Sequence, residues 1–187
     1  MKHLSTDGET VTIKIMPTLN PPSRKREKGD KLAILLDVET TGLSFAQDRV
    51  IQLAIRPFYF DPETFEITGI ARKTVMFNDP QEEIREEIIK ITGITNKDVE
   101  GQFIDWEWVK NAIERAEFII SHNAKFDRQF VEAEIERANL VHTEGPIWCC
   151  SINFVNWNDL FPVKIPSKSL EVLCAWSGFF YDSHSAD

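Results

Sequence analysis

The stretch Leu32-Ala33-Ile34-Leu35-Leu36-Asp37-Val38-Glu39-Thr40-Thr41-Gly42-Leu43 decides how this chain is read. An apolar run passes into a segment where acidic and apolar residues alternate, the pattern of a strand leaving a core at its carboxyl end. Residues i and i+2 of a strand face the same side, so Asp37 and Glu39 present two carboxylates together. Carboxylates so close repel each other unless a cation lies between them. Mg²⁺ and Mn²⁺ take oxygen ligands of this kind and keep coordination positions for substrate phosphate oxygens. A phosphoryl-transfer site is therefore the first expectation. Asp-x-Glu by itself reads as an acidic strand end before a Thr-Gly turn. Six specified residues in order do not, because at roughly 1/20 per position a chance match in a chain this long has a probability on the order of 10⁻⁶.

The 187 residues, 42% of them hydrophobic, suffice for one substantial core but not for two full domains. A formal net charge of −9 argues against holding nucleic acid by a broad basic surface, since that mode displaces counterions with Lys and Arg. Contact with nucleic acid is expected to be local and helped by bound metal. Cys149, Cys150 and Cys174 lack C-x-x-C spacing, and no histidine stands where a zinc site would need it. They read as reduced, mostly buried thiols of a cytoplasmic protein. The N-terminus shows no apolar leader, and no run approaches the ~18 apolar residues of a membrane span.

Residues 1–30 read as an extension or linker, with Pro17, Pro21, Pro22 and the charge run Ser23-Arg24-Lys25-Arg26-Glu27-Lys28. That run suits a solvated tail or a contact with a nucleic-acid backbone. Val11-Thr12-Ile13-Lys14-Ile15 alternates like an edge strand. Residues 31–187 form the main domain. Strands are expected from Lys31, over 50–60 and over 67–77, and the short Asp61-Pro62-Glu63 turn favours an antiparallel meander. Asp79-Pro80 predicts a helix start, with the helix over 80–90 ended by Thr92-Gly93. A helix over 105–115, the strand Phe118-Ile119-Ile120, a long helix to Asn139, a short strand over 147–152 and a helix over 167–176 complete an α/β domain on a mixed sheet.

Ser121-His122-Asn123-Ala124-Lys125-Phe126-Asp127 follows a buried strand and turns into a helix, with Asn123 in the capping position and Asp127 one turn on. Ligands gather at the carboxyl ends of such strands, so Asp127 can join Asp37 and Glu39. Phe126 reads equally as core or as groove wall. Near the end, His184 in Ser183-His184-Ser185-Ala186-Asp187 has the pKa range for abstracting a proton from water.

Taken in order, Asp37-x-Glu39-Thr40-Thr41-Gly42, then His122-Asn123-Ala124-x-Phe126-Asp127, then His184-x-Ala186 resembles the DEDDh (DnaQ-like) 3′-to-5′ exonuclease family. The family includes the proofreading epsilon subunit of bacterial DNA polymerase III and exonuclease X. The resemblance covers residues 31–187 and implies an RNase H-like fold, expected here as a mixed five-stranded sheet flanked by helices. It implies two divalent metal ions, Mg²⁺ or Mn²⁺, held by Asp37, Glu39 and Asp127, with His184 as general base. It implies that Thr40, Thr41, Gly42 and Leu43 hold the 3′-terminal nucleotide, that Ile94 lies against it, and that His122, Asn123 and Phe126 shape the approach. The implied substrate is the single-stranded 3′ end of a nucleic acid, DNA slightly favoured over RNA, and a polymerase is the implied partner.

One departure stands out. The family's third motif places its last metal-binding Asp five residues after the histidine, whereas this chain stops three residues after His184. Asp187 is two positions out of register, and two residues turn a helical side chain by about 200°. The expectation is a chain that ends before its last ligand, with Asp187 as a less favoured substitute. The alternative function is a non-catalytic module that recognises 3′ ends or docks a polymerase. A different RNase H-like nuclease or a transposition-linked enzyme fits the Asp-x-Glu-Thr-Thr-Gly sequence less well.

Overall fold

The computed structural model describes residues 14–15, 28–141, 145–161 and 164–180. Its elements run β1 (Lys14–Ile15), β2 (Lys31–Thr40), β3 (Val50–Phe60), β4 (Ile67–Ile70), β5 (Thr74–Phe77), α1 (Glu86–Thr92), α2 (Asn96–Val99), α3 (Trp106–Glu114), β6 (Phe118–Ser121), α4 (Ala124–Arg137), β7 (Ile147–Cys150), α5 (Ser151–Phe154), α6 (Trp157–Leu160), α7 (Leu170–Trp176) and β8 (Phe179–Phe180). The main sheet has the order β4-β3-β2-β6-β7, with β5 also on β3. β2, β3 and β4/β5 are antiparallel neighbours, while β6 and β7 run parallel to β2, so the sheet is mixed as expected.

It holds six strands rather than five. The stretch over 67–77, expected as one strand, is broken after Ile70, and its halves pair with opposite ends of β3. The five-row layout survives the break. Lys14–Ile15 of the expected N-terminal edge strand pairs in parallel with Phe179–Phe180 in a separate two-stranded sheet, and Val11–Ile13 lie outside the described residues.

One face of the sheet is buried. Ile34, Leu36 and Val38 from β2, Val50, Leu53 and Ile55 from β3, Val109 and Ile113 from α3, and Phe130, Val131 and Ile135 from α4 form the main core. The β2–β3 register slips at Glu39/Thr40, and the bulge puts Val50 and Leu53 into the same core. The extra residue, Ile51, turns instead to a second cluster with Ile84, Ile94 and Val99. Asn78 holds the bulge: its backbone N–H donates to the Ile51 carbonyl at 3.0 Å and its amide to the Val50 carbonyl at 3.1 Å.

The helix expected from Pro80 starts later, at Glu86. Gln81 adopts a positive φ of 61°, which a helix does not accommodate, and Asp79 accepts from Gln81 N–H and Gly101 N–H instead of capping a helix. Its end is as read, with Gly93 left-handed at φ 73° and its N–H on the Ile89 carbonyl.

Candidate active site

The site follows from unequal strand lengths. β6 pairs with β2 only along Ala33–Leu35, so β2 continues beyond its neighbour with backbone groups that no strand satisfies. Ser121, the last residue of β6, donates its hydroxyl to the Leu36 carbonyl at 2.7 Å. Two residues on, the Val38 N–H donates to Asp127 Oδ1 at 3.2 Å. Asp127 thus docks on the β2 edge at Val38, between the two residues whose side chains point the other way, Asp37 and Glu39. Strand alternation, an early strand end and the first turn of α4 together bring three carboxylates to one place.

Their electrostatics record the convergence. Burial, then the Asp37 carboxylate, push Glu39 up to about 7. Burial and Asp37 likewise push Asp127, which is 2% exposed, up to about 8, against the lowering effect of the Val38 N–H, and Glu39 adds to the rise. Groups this coupled share protons near neutrality, and a cation of higher charge can replace those protons. Among the described residues no three His, Cys, Asp or Glu side chains close into a preformed metal cage. The three carboxylates nevertheless offer the hard oxygen donors a divalent ion takes. Asp37 also borders an open cleft of about 450 Å³, with Leu35, Ala54, His122, Ser151 and Trp157 among its walls.

The other expected site residues divide. His122 lies in that cleft wall, its Nδ1 sharing a 2.8 Å hydrogen bond with Ser151 Oγ and its Nε2 buried. Burial holds its pKa below the usual histidine value. Leu43 is 86% exposed, free to meet a ligand. The side chains of Thr40 and Thr41 are buried in loop-forming bonds, Thr40 Oγ1 donating to the Gly42 carbonyl at 2.5 Å and Thr41 Oγ1 accepting from Arg49 N–H at 3.0 Å. Gly42 is closely packed as well: a Cβ there would sit 2.5 Å from both carboxylate oxygens of Asp48, so that side chain would have to shift.

Three further residues are placed as follows. Ile94 is only 5% exposed and belongs to the second core, so its side chain does not line a groove; neighbouring Ile91 is the exposed one. Phe126 packs on the main core, its ring 4.8 Å from that of Phe130. Asn123 precedes α4 in a left-handed conformation, φ 81°, with no side-chain cap bond. His184 and Asp187 lie outside the described residues.

The sequence reading missed the residues that hold the loop after β2. Glu134 on α4, 1% exposed, accepts from Arg49 Nε at 2.8 Å and Nη2 at 2.9 Å, from Val50 N–H at 3.2 Å and from Arg137 Nη1 at 3.0 Å. Arg137 continues to the carbonyls of Phe45, 2.6 Å, and Asp48, 3.2 Å. A glutamate seven residues after Asp127, on an otherwise apolar helix face, was the available signal.

Comparison with known proteins fits this geometry. The sequence profile of the family described as Exonuclease, RNase T type, matches residues 34–187. This chain belongs to the DnaQ-like exonuclease family. The chain is 32% identical over 129 residues to the PolC-type DNA polymerase III of Staphylococcus epidermidis, which covers 65% of the chain and 8% of the polymerase. For the Staphylococcus aureus enzyme the figures are 33% over 115 residues, 58% and 7%. The chain therefore spans less than a tenth of these relatives' length. Among solved structures, exonuclease I in complex with the inhibitor BCBP superposes with a TM-score of 0.68 at 19% identity, over 86% of this chain and 39% of that one. E. coli exonuclease I in complex with a dT13 oligonucleotide gives 0.65 at 20% identity, over 83% and 38%. These likenesses establish the RNase H-like fold of the chain.

Proposed function

We propose that this chain is a metal-dependent 3′-to-5′ exonuclease that removes nucleoside 5′-monophosphates from single-stranded ends, DNA in preference to RNA. The observation that carries this reading is the meeting of Asp37, Glu39 and Asp127 at the β2 edge, where burial and mutual repulsion raise Glu39 and Asp127 to near or above neutrality. These three carboxylates would hold two Mg²⁺ or Mn²⁺ ions. When bound, such ions neutralise charge on the scissile phosphate and acidify the attacking water.

The chain's own residues do the rest. Val38 N–H fixes the rotamer of Asp127, so its carboxylate is already aimed before substrate arrives. The backbone of Thr41 and Gly42 with the exposed Leu43 receives the terminal nucleotide, and Thr40 and Thr41 serve from inside by shaping that loop. His184 takes the proton of the attacking water, a role the family resemblance implies. His122 stays neutral in the cleft wall and helps to shape the approach of the nucleotide.

Exonuclease I in complex with dT13 supports a single-stranded substrate by analogy, and the PolC-type relatives support a polymerase as partner. Cys149, Cys150 and Cys174 are free thiols, which suits the reducing cytoplasm. Among the described residues no helix is long and apolar enough to cross a membrane.

Digestion of 5′-labelled DNA and RNA oligonucleotides tests the reading. In Mn²⁺ or Mg²⁺ the expected product is a ladder shortening from the 3′ end with release of mononucleotides, faster on DNA, and nothing in chelator. Binding of the same oligonucleotides without cleavage, both by this chain and by one extended to carry the family's last Asp, would favour the non-catalytic alternative.

A further inference from the structure

We infer that Glu134 is a positioning residue that seats the 41–49 loop for the terminal nucleotide, an inference resting on the exonuclease reading above. Asp127 and Glu134 stand seven residues apart on α4, which leaves them within about 20° of each other around the helix axis. Both use that shared face in the same way. Asp127 accepts from Val38 N–H on β2, and Glu134 accepts from Val50 N–H at the start of β3. The 41–49 loop is the connection between those two strands, so one helix grips the sheet on both sides of it.

Glu134 reaches into the loop through two arginines. Arg49 meets its carboxylate with two parallel hydrogen bonds, a geometry that fixes direction as well as distance. Arg137 is tied to Glu134 Oε1 and carries the grip to the Phe45 and Asp48 carbonyls. Asp48 then orders the near end of the loop, accepting from Ser44 N–H at 2.8 Å and from Thr41 Oγ1 at 3.4 Å while filling the space beside Gly42. Glu134 is buried, satisfied by four donors and remote from the carboxylate cluster it does not touch. A charge kept in that setting does not serve the core, where an apolar residue of similar volume packs at no greater cost. Its effect is on where the loop sits relative to Asp127, because both are referred to the same helix face. Losing it leaves the carboxylates in place and lets the nucleotide seat drift, which weakens substrate binding rather than chemistry.

The test compares the full chain with Glu134→Gln, which keeps shape and the Val50 bond but removes the charge, and with Arg137→Ala, which spares the Arg49 pair. Steady-state digestion of a single-stranded oligonucleotide is expected to show KM raised roughly tenfold with kcat within about twofold. Hydrogen exchange at Gln47 and Asp48, whose N–H groups bond the Ser44 carbonyl, is expected to speed up, and thymidine 5′-monophosphate to bind more weakly in Mg²⁺. Arg137→Lys, which retains charge and can reach one carbonyl, should recover part of the KM. A wild-type chain that digests nothing, even when extended to carry the family's last Asp, would defeat the exonuclease reading, while loop exchange and monophosphate affinity would still decide the role of Glu134. Unchanged loop exchange and monophosphate affinity in both Glu134→Gln and Arg137→Ala overturn the inference, as does a fall in kcat at constant KM.

Discussion

Asp37 is the residue on which the site turns, because it faces both partners whose protonation it disturbs. Asp37→Ala removes a ligand and also a source of repulsion for Glu39 and Asp127. Activity is expected to fall below detection while the melting temperature stays level or rises, which thermal unfolding followed by circular dichroism would check. The raised carboxyls also set a pH dependence in the metal-free protein. Folded values of about 7 for Glu39 and about 8 for Asp127 stand above their ordinary 4.5 and 3.8, so folding favours the protonated forms. That contribution is complete below the ordinary values and is lost as pH rises through 7 to 8. In chelator, the melting temperature should therefore drop between pH 5.5 and 8.5. Asp127→Asn should flatten the drop, and Mg²⁺ should offset it; a wild-type profile as flat as that of the variant would contradict the coupling. At Gly42, an added methyl must displace the Asp48 carboxylate and its bond to Ser44 N–H. Gly42→Ala is expected to cost about 1 to 2 kcal/mol in urea unfolding, with most of it absent in an Asp48→Ala background.

At the scale of elements, the sequence spoke clearly where pattern and packing agree. β2 was legible because its apolar run ends in alternation, and the Asp127 helix because a strand and a turn precede it. The break between Ile70 and Thr74 was not, since both halves carry strand-like residues and only pairing with one long partner, β3, separates them. The start of α1 was misread because Asp-Pro is also a loop signature, and here Asp79 closes a loop onto Gly101. Family likeness alone pointed to Ile94, and the β3 bulge that sends Ile51 to meet it leaves no trace in single-residue periodicity. Glu134 escaped notice because a glutamate in a helix ordinarily marks a solvated face. The bulge itself yields a prediction: Asn78→Ala strips one donor from the Val50 carbonyl and an acceptor from Ile104 N–H. It should destabilise by about 1 to 3 kcal/mol in chemical denaturation, where a neutral effect would show that the bulge holds without it.

At the scale of the whole molecule, an acidic chain that acts as the proposed exonuclease must bind a polyanion. With a net charge of −9, attraction has to come from the metal site and a few local contacts rather than from a basic surface. The dependence of log KM on log salt for a single-stranded oligonucleotide should accordingly be shallow, with a slope of about 2 or less. The two-sided build of the domain serves the same end, with α3 and α4 burying one sheet face and the other left open beside Asp37. All of this rests on three carboxylates acting as one divalent metal site, and calorimetric titration of Mn²⁺ into the full chain at pH 7 tests that most directly. Binding with release of protons from the raised carboxyls, lost in Asp37→Ala and strongly weakened in Asp127→Asn, is the predicted result. Equal Mn²⁺ affinity in wild type and both variants, without proton release, would contradict it.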